Sequence, residues 1–254
     1  MTGLAIDVAA WSSPWRRRSP ADKSLLCLGL CGCALVLPPV PACPLVLLVV
    51  VVVALGPARI PAGVLARIGR LPAAFILVTA VPVAVSVRVG DGPFVEVTRA
   101  GLVKAGELAL HGLAGSATVL LLAMTTPVVD LLPRLRSLGV PVAVIEVALV
   151  MYRMLFALLD SVHAITQAQA ARLGYAGWRS STRSAALLTA AVLTRAFDRA
   201  RRLEDGLTGR GSDGSLVVVT ETQPSSWRFV AGCLACHLTL VVGSLAVGPL
   251  VASW

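Results

Sequence analysis

Residues 25–55 carry no charged side chain. A helix crosses a bilayer in about 20 apolar residues, so this run is too long for one span and too apolar for a water-exposed loop. Pro38, Pro39 and Pro41 stand at its middle. They remove backbone donors and push preceding residues out of the helical region, so the run reads as a hairpin of two short membrane helices.

The rest of the chain has the same character. Of 254 residues 57% are hydrophobic and 14% charged, with mean hydropathy +0.85, beyond what a soluble domain of this length carries. Further spans are expected at residues 71–87, with Pro72 and Pro82, at 103–126, rich in small residues, and at 229–251. The fold class is therefore all-α: a polytopic membrane protein of about five transmembrane helices, with two or three long cytoplasmic helices. Residues 1–126 hold the first four spans, 127–227 a cytoplasmic region and 228–254 the last span. A net charge of +9 raises nucleic acid as a partner. That role needs stacking aromatics on a soluble module, and only 5% of residues are aromatic, so the partner expected is the lipid bilayer and not nucleic acid.

The positive charge follows topology instead. Arg16, Arg17, Arg18 and Lys23 precede the first span, Arg59, Arg67 and Arg70 separate the second and third, and Arg134 and Arg136 follow the fourth. Ten more arginines lie between residues 153 and 228. The proline turn has none, and the 88–99 loop offsets two arginines with Asp91 and Glu96. Positive loops stay inside, so the amino terminus is assigned to the cytoplasm and the carboxyl terminus to the outside of a multi-pass plasma-membrane protein. Residues 140–159 are apolar enough for a sixth crossing, but positive loops flank them on both sides. They are read as an amphipathic or partly embedded cytoplasmic helix.

Two helical segments of that region end at arginine-bearing turns: Ala171-Arg172-Leu173-Gly174, and Gly209-Arg210-Gly211, whose arginine lies 38 residues later. Gly174 and Gly211 suit the left-handed conformation that stops a helix, and arginine in a last turn is favoured by the helix dipole. The same side chains can project outward as bidentate partners for carboxylates on another protein. The local sequence accommodates both roles.

From Thr125 onward the chain resembles the transmembrane T component of energy-coupling factor transporters, above all its cobalt-type CbiQ members. Thr125-Thr126-Pro127, Leu138-Gly139-Val140-Pro141, Tyr152-Arg153 and the two arginine turns fall in that family's order, and Ser19-Pro20-Ala21-Asp22-Lys23 occupies the place of its polar lead-in to the first span. The resemblance implies a coupling subunit of an ABC importer, without chemistry of its own. Its two cytoplasmic helices would end in Ala-Arg-Gly-like triplets docked on a pair of ABC ATPases and pass their movement to a separate substrate-binding membrane subunit. By that likeness the triplets are Ala171-Arg172-Leu173, where leucine replaces glycine, and Gly209-Arg210-Gly211, where glycine replaces alanine. The implied cargo is cobalt or nickel ion; service to vitamin-binding subunits is a lesser alternative. The chain has no G-x-x-x-x-G-K-[ST] phosphate loop, so ATP hydrolysis belongs on another chain and no cofactor is expected.

Other chemistry competes for a few residues. Cys233-Leu234-Ala235-Cys236-His237 has the spacing of a c-type haem attachment site, which would make the chain a membrane enzyme or redox subunit. It lies inside an apolar span, where small packing residues and an interhelical polar contact explain it too. Glu107 and His111, four apart early in the fourth span, are with His237 candidates for contact with the substrate-binding subunit. Cys27 and Cys31 share a helix face, but packing is their simpler role, and no metal site is assigned.

Overall fold

A computed structural model describes residues 9–11, 13–90, 92–211 and 225–251. Its main elements are helices α1 (Pro20–Val36), α2 (Pro39–Leu55) and α3 (Ala62–Ala84), strands β1 (Val85–Gly90) and β2 (Gly92–Val97), then α4 (Arg99–Thr125), α5 (Val142–Ala171), α6 (Trp178–Thr208) and α7 (Trp227–Val251). The chain divides into two compact units. Of the described residues, those of 9–127 together with 225–251 make up one, and those of 128–211 the other.

In the first unit, α1 and α2 form the hairpin expected from the prolines. Leu37, held extended at φ −86°, ψ 159° ahead of Pro38, ends α1. Pro39 and Pro41 then sit in the first turn of α2, where a missing amide hydrogen costs nothing. Leu26, Cys27, Leu30 and Ala34 of α1 meet Cys43, Val46, Val50 and Ala54 of α2, Ala114, Leu121 and Met124 of α4, and Cys233 and Leu240 of α7 in one buried cluster. Within each set the residues fall mostly three, four or seven apart, as one helix stripe must. The opposite faces are apolar as well: Leu71 of α3 is 78% exposed and Phe75 70%. Such surfaces are stable only against lipid or a partner helix, and α3, α4, α5 and α7 are each long and apolar enough to span a membrane. The protein is a polytopic helical membrane protein.

Two elements differ from the sequence expectation. Helix α3 starts at Ala62, nine residues before the apolar run, so Arg67 and Arg70 ride on its first turns and do not lie in a loop. Residues 85–97 form an antiparallel hairpin, pairing Val85 with Val97 and Gly90 with Gly92, whose backbone bonds satisfy a connection that had been read as irregular. Residues 142–171 form the one continuous helix expected to end at the Arg172 turn, α5, 30 residues long.

Small residues set the closest approaches. A Cβ at Gly29 would overlap the ring of His237, and one at Gly112 would stand 3.1 Å from Ile76 Cγ2. His237 Nε2 lies 3.3 Å from the Leu26 carbonyl, so Gly29 lets α7 seat its imidazole on the backbone of α1. Replacing Gly29 by alanine forces the ring to swing away and give up that bond. It is expected to cost about 1–2 kcal/mol, read as a lower thermal midpoint in detergent. Adding His237→Ala should recover part of the loss; purely additive effects would show that the two sites do not touch.

The second unit opens with one α-helical turn, Val128–Leu131, that runs into a 3-10 stretch, Leu132–Leu138, stopped by left-handed Gly139 at φ 88°. Pro141 then leads into α5. Helices α5 and α6 run antiparallel: Met154 Sδ faces Arg199 Nε at 3.1 Å, and Gln169 Nε2 donates to the Ser184 carbonyl at 3.0 Å. Only Ile145 and Leu149 of α5, and Ser184 of α6, are buried. Leu193 and Phe197, four residues apart on one face of α6, are exposed apolar side chains, as is Leu187 elsewhere on the helix.

Candidate functional site

Gln169, Ala170, Ala171 and Arg172 close α5 in a complete Schellman turn. The Gly174 amide donates to the Gln169 carbonyl at 2.8 Å and the Leu173 amide to the Ala170 carbonyl at 3.0 Å, which satisfies carbonyls that a helix end leaves unpaired. The left-handed residue of this turn is Leu173, at φ 58°, and not Gly174 as its glycine had suggested. Gly174 is needed for space instead. A Cβ there would meet Ser184 Oγ at 2.7 Å and the Gln169 carbonyl oxygen at 2.8 Å.

The turn is braced by residues the sequence reading passed over. The Gly174 carbonyl accepts from Ser180 Oγ at 2.6 Å and Ser184 Oγ at 2.8 Å, while Tyr175 Oη donates to Gln169 Oε1 at 2.7 Å. Gln169 thus ties α5 to α6 through its amide and to Tyr175 through its carbonyl. Three polar residues, Gln169, Ser180 and Ser184, bracketing an Ala-Arg turn were the available signal. They look like ordinary solvated helix positions until the antiparallel pairing is known.

At the far end of α6, the Gly209 amide donates to the Asp205 carbonyl at 2.9 Å, and the Arg210 and Gly211 amides continue in tighter turns to Leu207 and Thr208. Gly211 is left-handed at φ 66°. The two turns therefore share a backbone plan, an arginine followed at once by a left-handed residue, despite the leucine in one and the extra glycine in the other. Arg172 and Arg210 are both exposed. Among the described residues no ion pair or side-chain hydrogen bond holds either guanidinium. Arg172 lies in the turn ahead of α6 and Arg210 just past its end, so the 31 residues of α6, roughly 46 Å of helix at about 1.5 Å each, lie between the two turns.

A left-handed residue with a Cβ is strained by about 1–2 kcal/mol. Leu173→Gly should therefore tighten the first turn by about 0.5–1 kcal/mol, after the extra freedom of glycine in the unfolded chain is subtracted. Amide hydrogen exchange at residues 173 and 174 is expected to slow two- to fivefold. Faster exchange would mean that the leucine side chain, not the backbone, holds the turn.

The remaining candidates are placed differently. His111 Nδ1 pairs at 3.0 Å with the backbone carbonyl of Glu107, not with its carboxylate, and both side chains are half-buried on α4. His237 faces α1 within the same unit. Cys233 is 4% exposed in the core cluster and Cys236 half-buried, so the C-x-x-C-H spacing is used for helix packing, and the haem reading finds no support. Among the described residues no group of three His, Cys, Asp or Glu side chains is placed to hold a metal.

Comparison with known proteins shows which family the chain resembles. The family model described as CbiQ, cobalt transport protein, matches residues 12–220. A cobalt transport protein CbiQ of Rhodobacter capsulatus is 38% identical over 251 residues, spanning 99% of this chain and all of that protein. Another, from Salmonella typhimurium, is 32% identical over 213 residues, 80% of this chain and 93% of its own length.

Proposed function

The chain belongs to the CbiQ cobalt transport protein family, and from that membership we propose that it is the transmembrane coupling subunit of an energy-coupling factor importer for cobalt ion. The carrying observation is the pair of exposed arginine turns of like backbone at the two ends of α6. An ATPase pair with two equivalent acidic grooves requires two such contacts set well apart, and guanidinium forks suit carboxylates in such grooves. Ala171, Arg172, Leu173 and Gly174 form one contact and Gly209, Arg210 and Gly211 the other. ATP binding and hydrolysis on the partner would move residues 128–221, and the membrane helices would carry that displacement to a metal-binding membrane subunit.

On this reading the chain performs no bond chemistry. The arginine-rich region and the amino terminus face the cytoplasm of a plasma-membrane protein, α5 lies on that side without crossing, and Glu107 and His111 contact the substrate-binding subunit. The cobalt names of both relatives favour a metal cargo over a vitamin.

The test is co-purification. A tagged chain expressed with its cognate ATPase and metal-binding subunit should leave detergent as one complex whose ATP hydrolysis resides in the ATPase. A chain that purifies alone from such cells, or that alone hydrolyses ATP or stains for covalent haem, would overturn the assignment.

A further inference from the structure

Two adjacent residues of α1, Asp22 and Lys23, are 3% and 0% exposed. Lys23 Nζ donates to the Thr125 carbonyl at 3.1 Å and the Trp15 carbonyl at 3.3 Å. The Asp22 carboxylate accepts from Ser225 Oγ and, at 3.1 Å, from the Ser226 amide. These partners sit at special places in the chain. Thr125 is the last residue of α4, and the other compact unit begins at residue 128. Ser225 and Ser226 directly precede α7. One turn of α1 thus holds, within the first unit, both the last residue of α4 and the residues that lead into α7.

The signs are matched to the helix ends. The ammonium of Lys23 meets the terminal carbonyl of α4, and the carboxylate of Asp22 meets the amide at the start of α7, so each charge faces the favourable pole of a helix dipole. Buried charges persist only when their hydrogen bonds are made, which makes the clasp stiff. If it relaxed, the end of α4 and the start of α7 would move independently, and a displacement of residues 128–221 would be absorbed there.

We propose that Asp22 and Lys23 are positioning residues for energy coupling: they lock the exit of α4 to the start of α7, so that movement of residues 128–221 reaches the membrane helices as one displacement. The proposal rests on the coupling role above. It separates two functions along the chain, with Arg172 and Arg210 securing the ATPase and Asp22 and Lys23 converting its movement into transport.

The experiment uses the full complex in proteoliposomes, with Co2+ entry and ATP hydrolysis measured on the same preparation. Lys23→Met and Asp22→Asn complexes that still bind the ATPase should hydrolyse ATP within about twofold of wild type, while Co2+ moved per ATP falls about tenfold. Lys23→Arg, which can still donate to both carbonyls, should keep most of the coupling ratio. Ser225→Ala, which removes one bond and leaves both charges, should lower the ratio about threefold; this variant and Lys23→Arg decide the matter if the stronger ones do not fold. An unchanged ratio in folded Lys23→Met and Asp22→Asn complexes or, where those do not fold, in Ser225→Ala would overturn the proposal. So would a Lys23→Arg complex as poorly coupled as Lys23→Met. A wild-type complex that shows no ATP-driven Co2+ entry would instead sink the coupling role itself, and the clasp proposal with it.

Discussion

Replacing Arg172 and Arg210 together by alanine is expected to release the ATPases from the membrane subunit, whereas either replacement alone weakens the complex and leaves it detectable. Truncating one partner of a desolvated charge pair at an interface costs about 2–5 kcal/mol, or roughly 30- to 5,000-fold in affinity. The two arginines sit at opposite ends of α6, so while one remains docked the second binds intramolecularly, and the pair gains about 10²–10⁴ from that linkage. The double variant loses both anchors and the linkage between them. Lysine at either position should recover only part of the loss, because it keeps the charge without the planar fork. Association of detergent-purified subunits measured by immobilised pull-down, with circular dichroism to verify helix content, reads these differences. Full binding by a folded double variant would reduce both arginines to helix caps.

Gly174→Val should have the second-largest effect, acting on the same site through its backbone. The atoms a new Cβ would meet have little room to retreat. The Gln169 carbonyl accepts the Gly174 amide itself, and Ser184 Oγ is held by the Gly174 carbonyl. The turn must open, forfeiting the 6→1 bond and the serine contacts, at an expected cost of about 2–4 kcal/mol. The penalty falls where Arg172 is aimed, so ATPase binding should drop at least tenfold even in protein whose membrane helices remain intact. Limited proteolysis would then cut between residues 169 and 178 at least tenfold faster. Wild-type cleavage and wild-type binding together would mean that the turn adapts and that Gly174 is not a spacer. Gly177, where nothing lies within 4 Å of an added Cβ, supplies the control.

Much of this organisation is written in local chemistry. The proline cluster at residues 38–41 placed the α1–α2 hairpin because the residue ahead of Pro38 has little choice but to extend, and the apolar lengths gave α4 and α7 within a few residues. Charge misled the reading at α3, since Arg67 and Arg70 resemble a loop until the helix is seen to begin before the apolar stretch. The β-hairpin was also legible in principle: Val85, Val87 and Val89 alternate with other residues before Gly90-Asp91-Gly92, but a connection between two spans invites no search for strands.

The arginine turns were found from spacing and glycine, yet their geometry was not. Sequence favours Gly174 as the left-handed residue, and only the 6→1 bond shows that Leu173 takes that place. The Asp22–Lys23 clasp was invisible for a different reason. Apart from Trp15, its partners are 102 to 204 residues away, and nothing in a local window reports contacts so distant. The Cys233-Leu234-Ala235-Cys236-His237 run shows the converse, a motif whose spacing imitates haem chemistry while its side chains serve helix packing.

The most direct test of the coupling role is Co2+ entry into proteoliposomes holding this chain, the metal-binding subunit and the ATPases, with each component omitted in turn. ATP-dependent entry should require all of them and fall to background with the Arg172→Ala, Arg210→Ala double variant. ATP-driven entry that persists in that variant, or when this chain is left out, would contradict the account.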